Sequence, residues 1–551
     1  MGTEEKIILP EKYYLDNFKY VLDFVRQKYE ALLREPEFNF IDDFHSLSED
    51  AQCLYVRLSN RKGRFFRMVK LQYAEIPDIH RAHEELLSTG FCEQIPKLEI
   101  EEEYALVNIY NKPEIVKKTK AHKETLDHKL PKSELVLQIV ENIPSPEIRV
   151  QFYEEETILT QAKEEELAMI KLFFFGHNHG DMSDFVIRDI GHAKFIEIDE
   201  SKLGQSFDTR EEAEAVMTLS NHARDFAVLE ESGSPELILR WFDALEINYF
   251  LQMDRAKPRA DKLIHRVGYH LEKQKHFEEA LRIYQHTEAS PMRERQIRIY
   301  NKQKDFESAM ALAERILEAP NDNKEYYIAQ DVINRNNEKL KSTTRRQKQG
   351  MEIEVSQDYQ YRVEQGALAY FEELGYQGVH SENSIWRSIF GLIFWEEIFD
   401  PEYNQIYQPL QRDPKDAFSK DFYLNRKEAI HQRLEGLRTK KQIIDRMQRY
   451  YEANQGVASM FVNWERMNLE AAIKLVEFLS PKQVKQTLLT IALDPRTRSS
   501  GFPDLFVWNE KEYHFYEVKS PTDHLAEKQL FWLEHFDQHK INAEVVLVKW
   551  S

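Results

Sequence analysis

The chain has very little cysteine and no long apolar run, and both absences limit what it can be. Its 551 residues include only Cys53 and Cys92, which excludes a disulfide framework and a cysteine-based zinc site and fits a reducing, intracellular compartment. No run approaches the ~18 consecutive apolar residues that a membrane span needs. The N-terminal MGTEEKIILP matches neither a signal peptide nor a myristoylation site. We therefore expect a soluble protein that does not bind a membrane.

Positive charge is also in deficit. The 75 Lys and Arg residues face 95 Asp and Glu residues, and the net charge of −20 argues at first against a nucleic-acid partner. Phosphate binding depends on the local field, however, and not on the total. The segment 57–70 (RLSNRKGRFFRMVK) has six Lys or Arg and no acid. As a helix it would present basic side chains to DNA, with a solvated helix face as the alternative; the predicted contacts are Arg57, Arg61, Lys62, Arg64 and Arg67.

Two further patterns near the N-terminus are helical. Residues 12–34 have apolar side chains at helical spacing and predict an amphipathic helix. In segment 99–145, two short helices are predicted to flank a polar, extended link, with Ser133 as the N-cap of the second helix. This arrangement resembles a SAP module, a small duplex-binding unit. The predicted phosphate contacts in or beside the link are Lys117, Lys118 and Lys120.

An internal repeat occupies the middle of the chain. Residues 271–291 match residues 300–320 at a fixed offset of 29, and the matched positions include Lys, Gln, Phe, Glu, Ala and Pro. Small Ala and large Phe residues at helix-pair spacing predict a TPR-like helical repeat. A smaller basic cluster lies at its start: Lys257, Arg259, Lys262 and Arg266. The polar segment 334–350 is the predicted linker to the last domain.

The last domain contains a pattern typical of a catalytic hairpin. Two apolar runs, residues 505–508 and 513–516, flank a polar turn and predict a β-hairpin. Asp504 begins the first strand, and Glu517-Val518-Lys519 ends the second, so two acids and a lysine meet at one end of the hairpin.

This group of residues suits hydrolysis of a phosphodiester. Oxygen ligands from Asp504, Glu517 and a backbone carbonyl would hold Mg²⁺ or Mn²⁺. Lys519 could orient the attacking water or stabilise charge in the transition state. The alternative is structural: Asp504 caps a turn while Glu517 and Lys519 form an exposed cross-strand pair.

The stretch 501–533 resembles the VRR-NUC branch of the PD-(D/E)xK nucleases, and more narrowly the Fanconi-associated nuclease family. It follows the pattern GxPDLxxW…EVKxPxDxLxxKQxxWL of that family. Segment 375–399 also resembles the family, with GYQGVHSENS before an apolar helix. The resemblance implies that Glu382 is a third metal ligand and that the carbonyl of Val518 is a fourth. It also implies a catalytic role for Gln529, and the spacing places Arg496 and Arg498 near the scissile phosphate.

The resemblance implies a multidomain, mostly α protein with a C-terminal α/β PD-(D/E)xK domain. We divide it into a helical DNA-binding segment (1–98), a SAP-like module (99–145), TPR-like repeats (146–340) and a VRR-NUC domain (351–551). The cysteines of the ubiquitin-binding zinc finger found in longer family members are absent, so a shortened, bacterial-type member is expected. It would act in the cytoplasm of a bacterium or the nucleus of a eukaryote.

The implied function is a metal-dependent DNA nuclease with 5′-flap endonuclease and 5′-to-3′ exonuclease activity in interstrand-crosslink repair. Its expected partner is branched DNA, including 5′ flaps, nicks and crosslinked duplex, with dimerisation on DNA left open. Two alternatives remain at this point: an enzyme resembling a Holliday-junction resolvase, and a non-catalytic scaffold of TPR type.

Overall fold

The computed structural model describes residues 10–93, 100–178, 185, 186, 188, 194–336 and 340–551. By contacts between its residues the chain divides into two compact units. Unit 1 comprises residues 1–192 and 206–213, and unit 2 comprises residues 193–205 and 214–551. None of the described helices has the length and apolar character needed to span a bilayer.

Unit 1 is built of helices with one small two-stranded sheet. Strands β1 (Phe65–Arg67) and β2 (Ile158–Thr160) pair antiparallel, with Phe65 opposite Thr160. The helices are α1 (Tyr13–Lys28), α2 (Glu35–Ser46), α3 (Glu49–Ser59), α4 (Ile79–Ser88), α5 (Ile100–Asn108), α6 (Lys112–Lys118), α7 (Lys132–Asn142), α8 (Ser145–Arg149) and α9 (Glu164–Phe175).

The basic segment 57–70 is not a helix, so the predicted helix there is wrong. Helix α3 ends at Ser59, and a turn leads through Gly63, at φ +95°, into strand β1. The apolar pair Phe65 and Phe66 explains the difference, because both side chains are buried in the small sheet of unit 1. Adjacent side chains of a strand point to opposite faces, so this short strand is covered on both faces, and that burial overrides the helical reading of the charges.

The SAP-like region differs from its prediction in one respect. Its central link is not extended, because residues 112–118 form helix α6. Asn111 and Glu114 form a capping box at the N-terminus of that helix. Ser133 lies within the first turn of α7, and Pro131 occupies the N-cap position instead. The helices of this region share one apolar core that includes Leu106, Ile115, Leu135 and Ile139 and other residues between 65 and 158.

Unit 2 contains the helical repeats and the large sheet. Its helices before the sheet are α10 (Arg210–Ser232, whose first turn belongs to unit 1), α11 (Pro235–Asp243), α12 (Ile247–Leu251), α13 (Lys257–Lys273), α14 (Phe277–Tyr284), α15 (Met292–Gln303), α16 (Phe306–Glu318), α17 (Asn323–Asn336) and α18 (Ser342–Gln347).

The internal repeat forms consecutive helix pairs, α13 with α14 and α15 with α16. The matched residues Ala280 and Ala309 are fully buried at equivalent positions. The matched phenylalanines do not behave alike, because Phe306 is 59 % exposed. The packing of each helix pair therefore depends on the small alanine, which allows the two helices to approach closely, and not on the phenylalanine.

The large sheet has five strands in the order β3-β7-β6-β5-β4. The strands are β3 (Met351–Val355), β4 (Gln377–His380), β5 (Leu505–Trp508), β6 (Tyr513–Lys519) and β7 (Ala543–Trp550). Strand β7 runs parallel to both β3 and β6, whereas β4, β5 and β6 are antiparallel neighbours. Strand β7 is the last strand in the sequence, but it lies inside the sheet, between β3 and β6.

Nine helices of unit 2 follow the first strand of this sheet in the described chain. They are α19 (Val363–Glu373), α20 (Ser384–Ile393), α21 (Trp395–Phe399), α22 (Asp421–Gly436), α23 (Lys440–Asn454), α24 (Leu469–Phe478), α25 (Pro481–Leu493), α26 (Pro495–Arg498) and α27 (Glu527–His539). Phe371 of α19 stacks on Tyr516 of the sheet with ring centroids 4.2 Å apart. Trp386 of α20 packs against Phe515 and against Phe536 of α27.

Candidate active site

The hairpin of strands β5 and β6 brings two acids together at its open end. Leu505 pairs with Tyr516 in the antiparallel register, so Asp504 and Glu517, each one residue further, lie next to each other. The backbone N–H of Val518 donates a hydrogen bond of 2.8 Å to Asp504 Oδ2. The two carboxylates are 7 % and 0 % exposed, respectively. The exposed cross-strand pair considered as an alternative is therefore not what the sequence forms.

Lys519 completes this group. Its ammonium donates a hydrogen bond of 2.6 Å to Glu517 Oε1, as the two-residue spacing along a strand requires. The other oxygen of that carboxylate, Oε2, is buried and has no hydrogen-bond partner in the described part of the chain. A buried carboxylate oxygen without a partner is energetically costly unless a cation or donor binds it.

Glu382 is positioned by the backbone next to the hairpin. After strand β4 ends at His380, the N–H groups of Ser381 and Glu382 approach the carbonyl oxygen of Asp504 at 2.7 and 3.3 Å. Potential ligand atoms of His380, Glu382 and Asp504 all lie within 4.8 Å of one another. The sequence prediction had missed His380, because the short strand that delivers it was not recognised.

Asn383 connects this loop to the start of the hairpin. It adopts a left-handed conformation with φ 57°. Its side-chain oxygen accepts a hydrogen bond of 2.7 Å from the N–H of Gly501, and its amide nitrogen donates one of 3.0 Å to Glu382 Oε1. One side chain therefore fixes the third acid relative to the segment that leads into the Pro-Asp pair.

The site disfavours negative charge in the absence of a cation. Burial raises the pKa of Asp504 to about 6. Burial first, and then the charge of Asp504, raise the pKa of Glu517 well above its ordinary value. Lys519 acts in the opposite direction on both acids. Carboxylates whose pKa values are raised by burial and by neighbouring carboxylates are characteristic of sites that bind a cation or perform acid–base chemistry.

Gln529 and the two arginines lie on neighbouring helices. Gln529 Oε1 accepts a hydrogen bond of 2.9 Å from the N–H of Ala526 and so caps α27. Arg496 is exposed. Arg498 is half-buried, with a pKa lowered by burial, and its guanidinium lies 5.3 Å from the ring centroid of Phe531. The roles of all three in catalysis or in DNA contact stay predictions.

Helix α18 lies within the predicted linker and holds the loop that follows Lys519. Gln347 Nε2 donates to the carbonyl of Asp523 at 2.7 Å, and Gln347 Oε1 accepts from the N–H of Leu525 at 3.0 Å. The preceding Arg346 forms an ion pair of 2.9 Å with Asp537 of α27. A segment that the composition marks as a spacer is thus part of the nuclease framework.

In the segment 57–70, three of the five predicted DNA contacts have carboxylate partners. Arg57 pairs with Glu75 at 2.5 Å, and Arg64 pairs with Glu93 and Glu102. Arg67 pairs with Glu114 and Glu156, at 2.8 and 3.1 Å. The segment itself contains no acid, so the carboxylates that balance these three charges all come from other parts of the sequence.

The remaining predicted contacts of unit 1 are more accessible. Arg61 and Lys62 are exposed in the turn before β1, as are Lys117 and Lys120 near helix α6. Lys118 differs, since its ammonium forms an ion pair of 2.7 Å with Glu155. Contact of these side chains with DNA stays a prediction.

Comparison with known proteins agrees with this geometry. The family models "FAN1, HTH domain" and "VRR-NUC domain" match residues 12–93 and 438–550. A Fanconi-associated nuclease 1 homolog of Pseudomonas aeruginosa is 28 % identical, over 98 % of this chain and 97 % of its own. The chain is thus similar to a Fanconi-associated nuclease over nearly its whole length, and it contains the two domains that these family models describe. A homolog from Arabidopsis thaliana is 26 % identical over 97 % of this chain and 66 % of its own.

A solved structure supports the family at the level of the fold. The crystal structure of paFAN1 bound to 2-nucleotide 5′-flap DNA with a gap superimposes with a TM-score of 0.87 and 26 % identity, and covers 99 % of both chains. The predicted fold class is confirmed: helical segments are followed by an α/β nuclease domain. Because the chain has a VRR-NUC domain and resembles Fanconi-associated nucleases along its length, it is a structure-specific DNA nuclease that depends on a divalent metal.

Proposed function

We propose that this nuclease cleaves branched DNA next to a 5′ flap and also degrades DNA in the 5′-to-3′ direction, in the repair of interstrand crosslinks. The convergence of Glu382, Asp504, Glu517 and Lys519 at the end of one hairpin is the observation that carries the chemistry. The likeness to paFAN1, whose solved structure holds 5′-flap DNA, supports the substrate. Such an enzyme would act where DNA is, in the bacterial cytoplasm or the eukaryotic nucleus.

The donor set fits Mg²⁺ or Mn²⁺. Carboxylate and carbonyl oxygens are the ligands that these ions prefer, and Glu517 Oε2 has no partner among the described residues. We assign the ligands to Glu382, Asp504, Glu517 and the carbonyl of Val518. His380 is close enough to take part, since its ring nitrogen belongs to the same group of potential ligand atoms. When bound, the ion would neutralise charge on the phosphoryl oxygens and activate water.

The chain's own residues organise the rest of the reaction. Glu517 holds the Lys519 ammonium in place through the 2.6 Å hydrogen bond. The remaining N–H groups of the ammonium can then donate hydrogen bonds to the attacking water or to a phosphoryl oxygen. Water attacks phosphorus in line with the leaving 3′ oxygen and releases its proton to solvent. The bond from phosphorus to the 3′ oxygen breaks, and that oxygen takes up a proton from solvent, so the products carry a 5′-phosphate and a 3′-hydroxyl. Gln529, on the helix after the hairpin, is assigned to orienting the scissile strand.

Replacement of single site residues tests this proposal. Asp504→Asn and Lys519→Ala should each reduce cleavage of a 5′-flap substrate by at least about 10²-fold, the typical loss when one stabilising group is removed. Binding of the same substrate, measured by fluorescence anisotropy in EDTA, should stay within about twofold. Glu510→Gln is the matched control, because Glu510 is an exposed acid at the opposite end of the same hairpin.

Product mapping separates the remaining functions. End-labelled flap, nicked, duplex and four-way-junction substrates should show preferred cleavage at the flap. Symmetrical cleavage of the four-way junction alone would identify the enzyme as a resolvase. Cleavage by Asp504→Asn at the rate of the unmodified protein would show that the assigned active site is wrong.

A further inference from the structure

The loop between strand β6 and helix α27 joins two parts of the candidate active site. Lys519 is the last residue of the strand, and Ala526 is the N-cap of the helix, where its N–H donates to Gln529 Oε1. The segment 520–525 lies between them. The shape of this loop therefore sets the end of the strand, with its lysine, relative to the start of the helix, with its glutamine.

The loop has little packing of its own. Residues 521–524 are exposed, so the apolar core does not fix their conformation. One turn closes the first half: the N–H of Ser520 donates to Asp523 Oδ2, and the N–H of Asp523 donates to the carbonyl of Ser520, both at 3.1 Å. Hydrogen bonding from Ser520 lowers the pKa of Asp523, and the charge of Lys519 acts in the same direction. The second half of the loop has to be held from outside.

Gln347 holds that second half. Its Nε2 donates to the carbonyl of Asp523 at 2.7 Å, and its Oε1 accepts from the N–H of Leu525 at 3.0 Å. In the described part of the chain, no other residue outside the loop hydrogen-bonds the backbone of residues 522–525. A side-chain amide carries both donors and an acceptor on one planar group, so a single glutamine pairs with both backbone groups.

The helix that carries Gln347 is itself anchored on two sides. Arg346 forms an ion pair of 2.9 Å with Asp537 of α27. The N–H of Ser342 donates to Asp331 Oδ1 of α17 at 2.8 Å. Gln347 is therefore a fixed point against which the exposed loop is held.

We propose that Gln347 is a positioning residue for phosphodiester hydrolysis, which acts by holding the loop that follows Lys519. A catalytic group must be kept within about 0.5 Å of its productive position by supporting hydrogen bonds, and the two bonds from Gln347 supply such support to the loop next to Lys519. The inference rests on the proposed function, because that function gives the ammonium of Lys519 its role.

Cleavage kinetics on a 5′-flap substrate are the first test. Gln347→Met keeps the length of the side chain but makes neither hydrogen bond. It should lower the rate at saturating enzyme and Mn²⁺ by about 10- to 100-fold, because a displacement of about 1 Å at a reacting group costs on the order of 10²-fold. The dissociation constant of the DNA, measured in EDTA, should not change. The Mn²⁺ concentration that gives half the maximal rate should not change either, because both described hydrogen bonds of the Gln347 side chain go to the loop and not to the acids of the site.

Two further variants control this result. Gln347→Glu retains the acceptor for the N–H of Leu525 but loses the donor to the carbonyl of Asp523, so its rate should fall between those of Gln347→Met and the unmodified protein. Gln349→Met is the matched control, because Gln349 is an exposed amide of the same segment, and its rate should equal that of the unmodified protein.

Hydrogen exchange without metal or DNA tests the contact itself. The N–H of Leu525 should exchange about 2- to 10-fold faster in Gln347→Met, as expected for the loss of one hydrogen bond. Its exchange should be unchanged in Gln347→Glu and Gln349→Met. The midpoint of urea unfolding should be the same for every variant, because an exposed loop opens locally without unfolding the domain.

Several results would overturn the proposal. A normal cleavage rate in Gln347→Met would remove the positioning role. A weaker affinity for DNA would make Gln347 a substrate contact, a raised Mn²⁺ requirement would make it a support of the acids, and a lower urea midpoint would make it a structural residue. Lys519→Ala separates this inference from the proposed function. If that variant cleaves at the normal rate, the proposed mechanism is wrong; if it is inactive while Gln347→Met is fully active, only the role of Gln347 is wrong.

Discussion

Asn383 offers the sharpest test of how the site is assembled, because its side chain makes two separable contacts. Its oxygen accepts from the N–H of Gly501, and its nitrogen donates to Glu382. Its backbone is left-handed, a conformation that Asn and Gly adopt more readily than Ala. Replacement by Ala, Gly or Asp removes different combinations of these properties.

The expected losses of unfolding free energy follow from these contacts. Asn383→Ala leaves the buried N–H of Gly501 without its acceptor, at a cost of about 1–3 kcal/mol, and places Ala in a left-handed conformation, at a further cost of about 1–2 kcal/mol. Asn383→Gly incurs the first cost but avoids the steric one. Asn383→Asp retains the acceptor for Gly501, so its unfolding free energy should stay within about 1 kcal/mol of the unmodified value.

Cleavage should follow a different order from stability. Asn383→Asp replaces the donor to Glu382 with a second carboxylate, so it should lose activity although it remains stable. A displacement of about 1 Å at a reacting group costs on the order of 10²-fold in rate, and we expect a loss of about 10- to 100-fold with a raised metal requirement. Urea unfolding and flap cleavage over a Mn²⁺ titration measure both quantities.

The control for the backbone cost is Asn404, which is also left-handed, at φ 53°. The difference between Asn404→Ala and Asn404→Gly measures the left-handed penalty away from the active site. If Asn383→Asp cleaves DNA at the normal rate with an unchanged metal dependence, Asn383 does not position Glu382 and this account of the third acid is wrong.

Two further predictions concern stability. In the helical repeats, a Cβ on Gly268 would lie 2.5 Å from a ring carbon of Tyr284, so Gly268→Ala should lower the unfolding free energy by about 1–3 kcal/mol. Gly436 has open space around it, so Gly436→Ala should leave the unfolding free energy unchanged. Equal effects of the two substitutions in urea unfolding would contradict this packing. Burial raises the pKa of Asp413 to about 7, against about 3.9 in an unfolded chain. The folded state therefore binds the proton more tightly, and stability should fall by about 1.4 kcal/mol per unit as pH rises from about 4 to 7. Asp413→Asn should flatten that slope in unfolding measured at several pH values, and an unchanged slope would assign it to another group.

The catalytic hairpin could be predicted because its information is local. Two apolar runs, a polar turn and the residues Asp504, Glu517 and Lys519 all fall within one short stretch, and hairpin pairing needs no distant partner. The position of Glu382 beside them came from family resemblance, since only the pairing of β4 with β5 brings it there. The four residues of β4 (QGVH) have too little apolar character to indicate a strand by themselves.

The basic segment of unit 1 shows what local reading misses. Its charges are dense in the sequence, yet Arg57, Arg64 and Arg67 are balanced by acids that are 18 to 89 residues away. A local count of charge cannot include partners that only the fold supplies.

The short helix α18 has a consequence for how the catalytic part of this chain can be isolated. Gln347 forms two hydrogen bonds with the loop after Lys519. Helix α18 is in turn attached to helix α17, because the N–H of Ser342 donates to Asp331 Oδ1 at 2.8 Å. A fragment that starts at residue 351, where the nuclease domain was predicted to begin, would lack the hydrogen bonds from Gln347 to this loop. Excised fragments should therefore begin upstream of α17 if they are to keep the catalytic loop in its native shape.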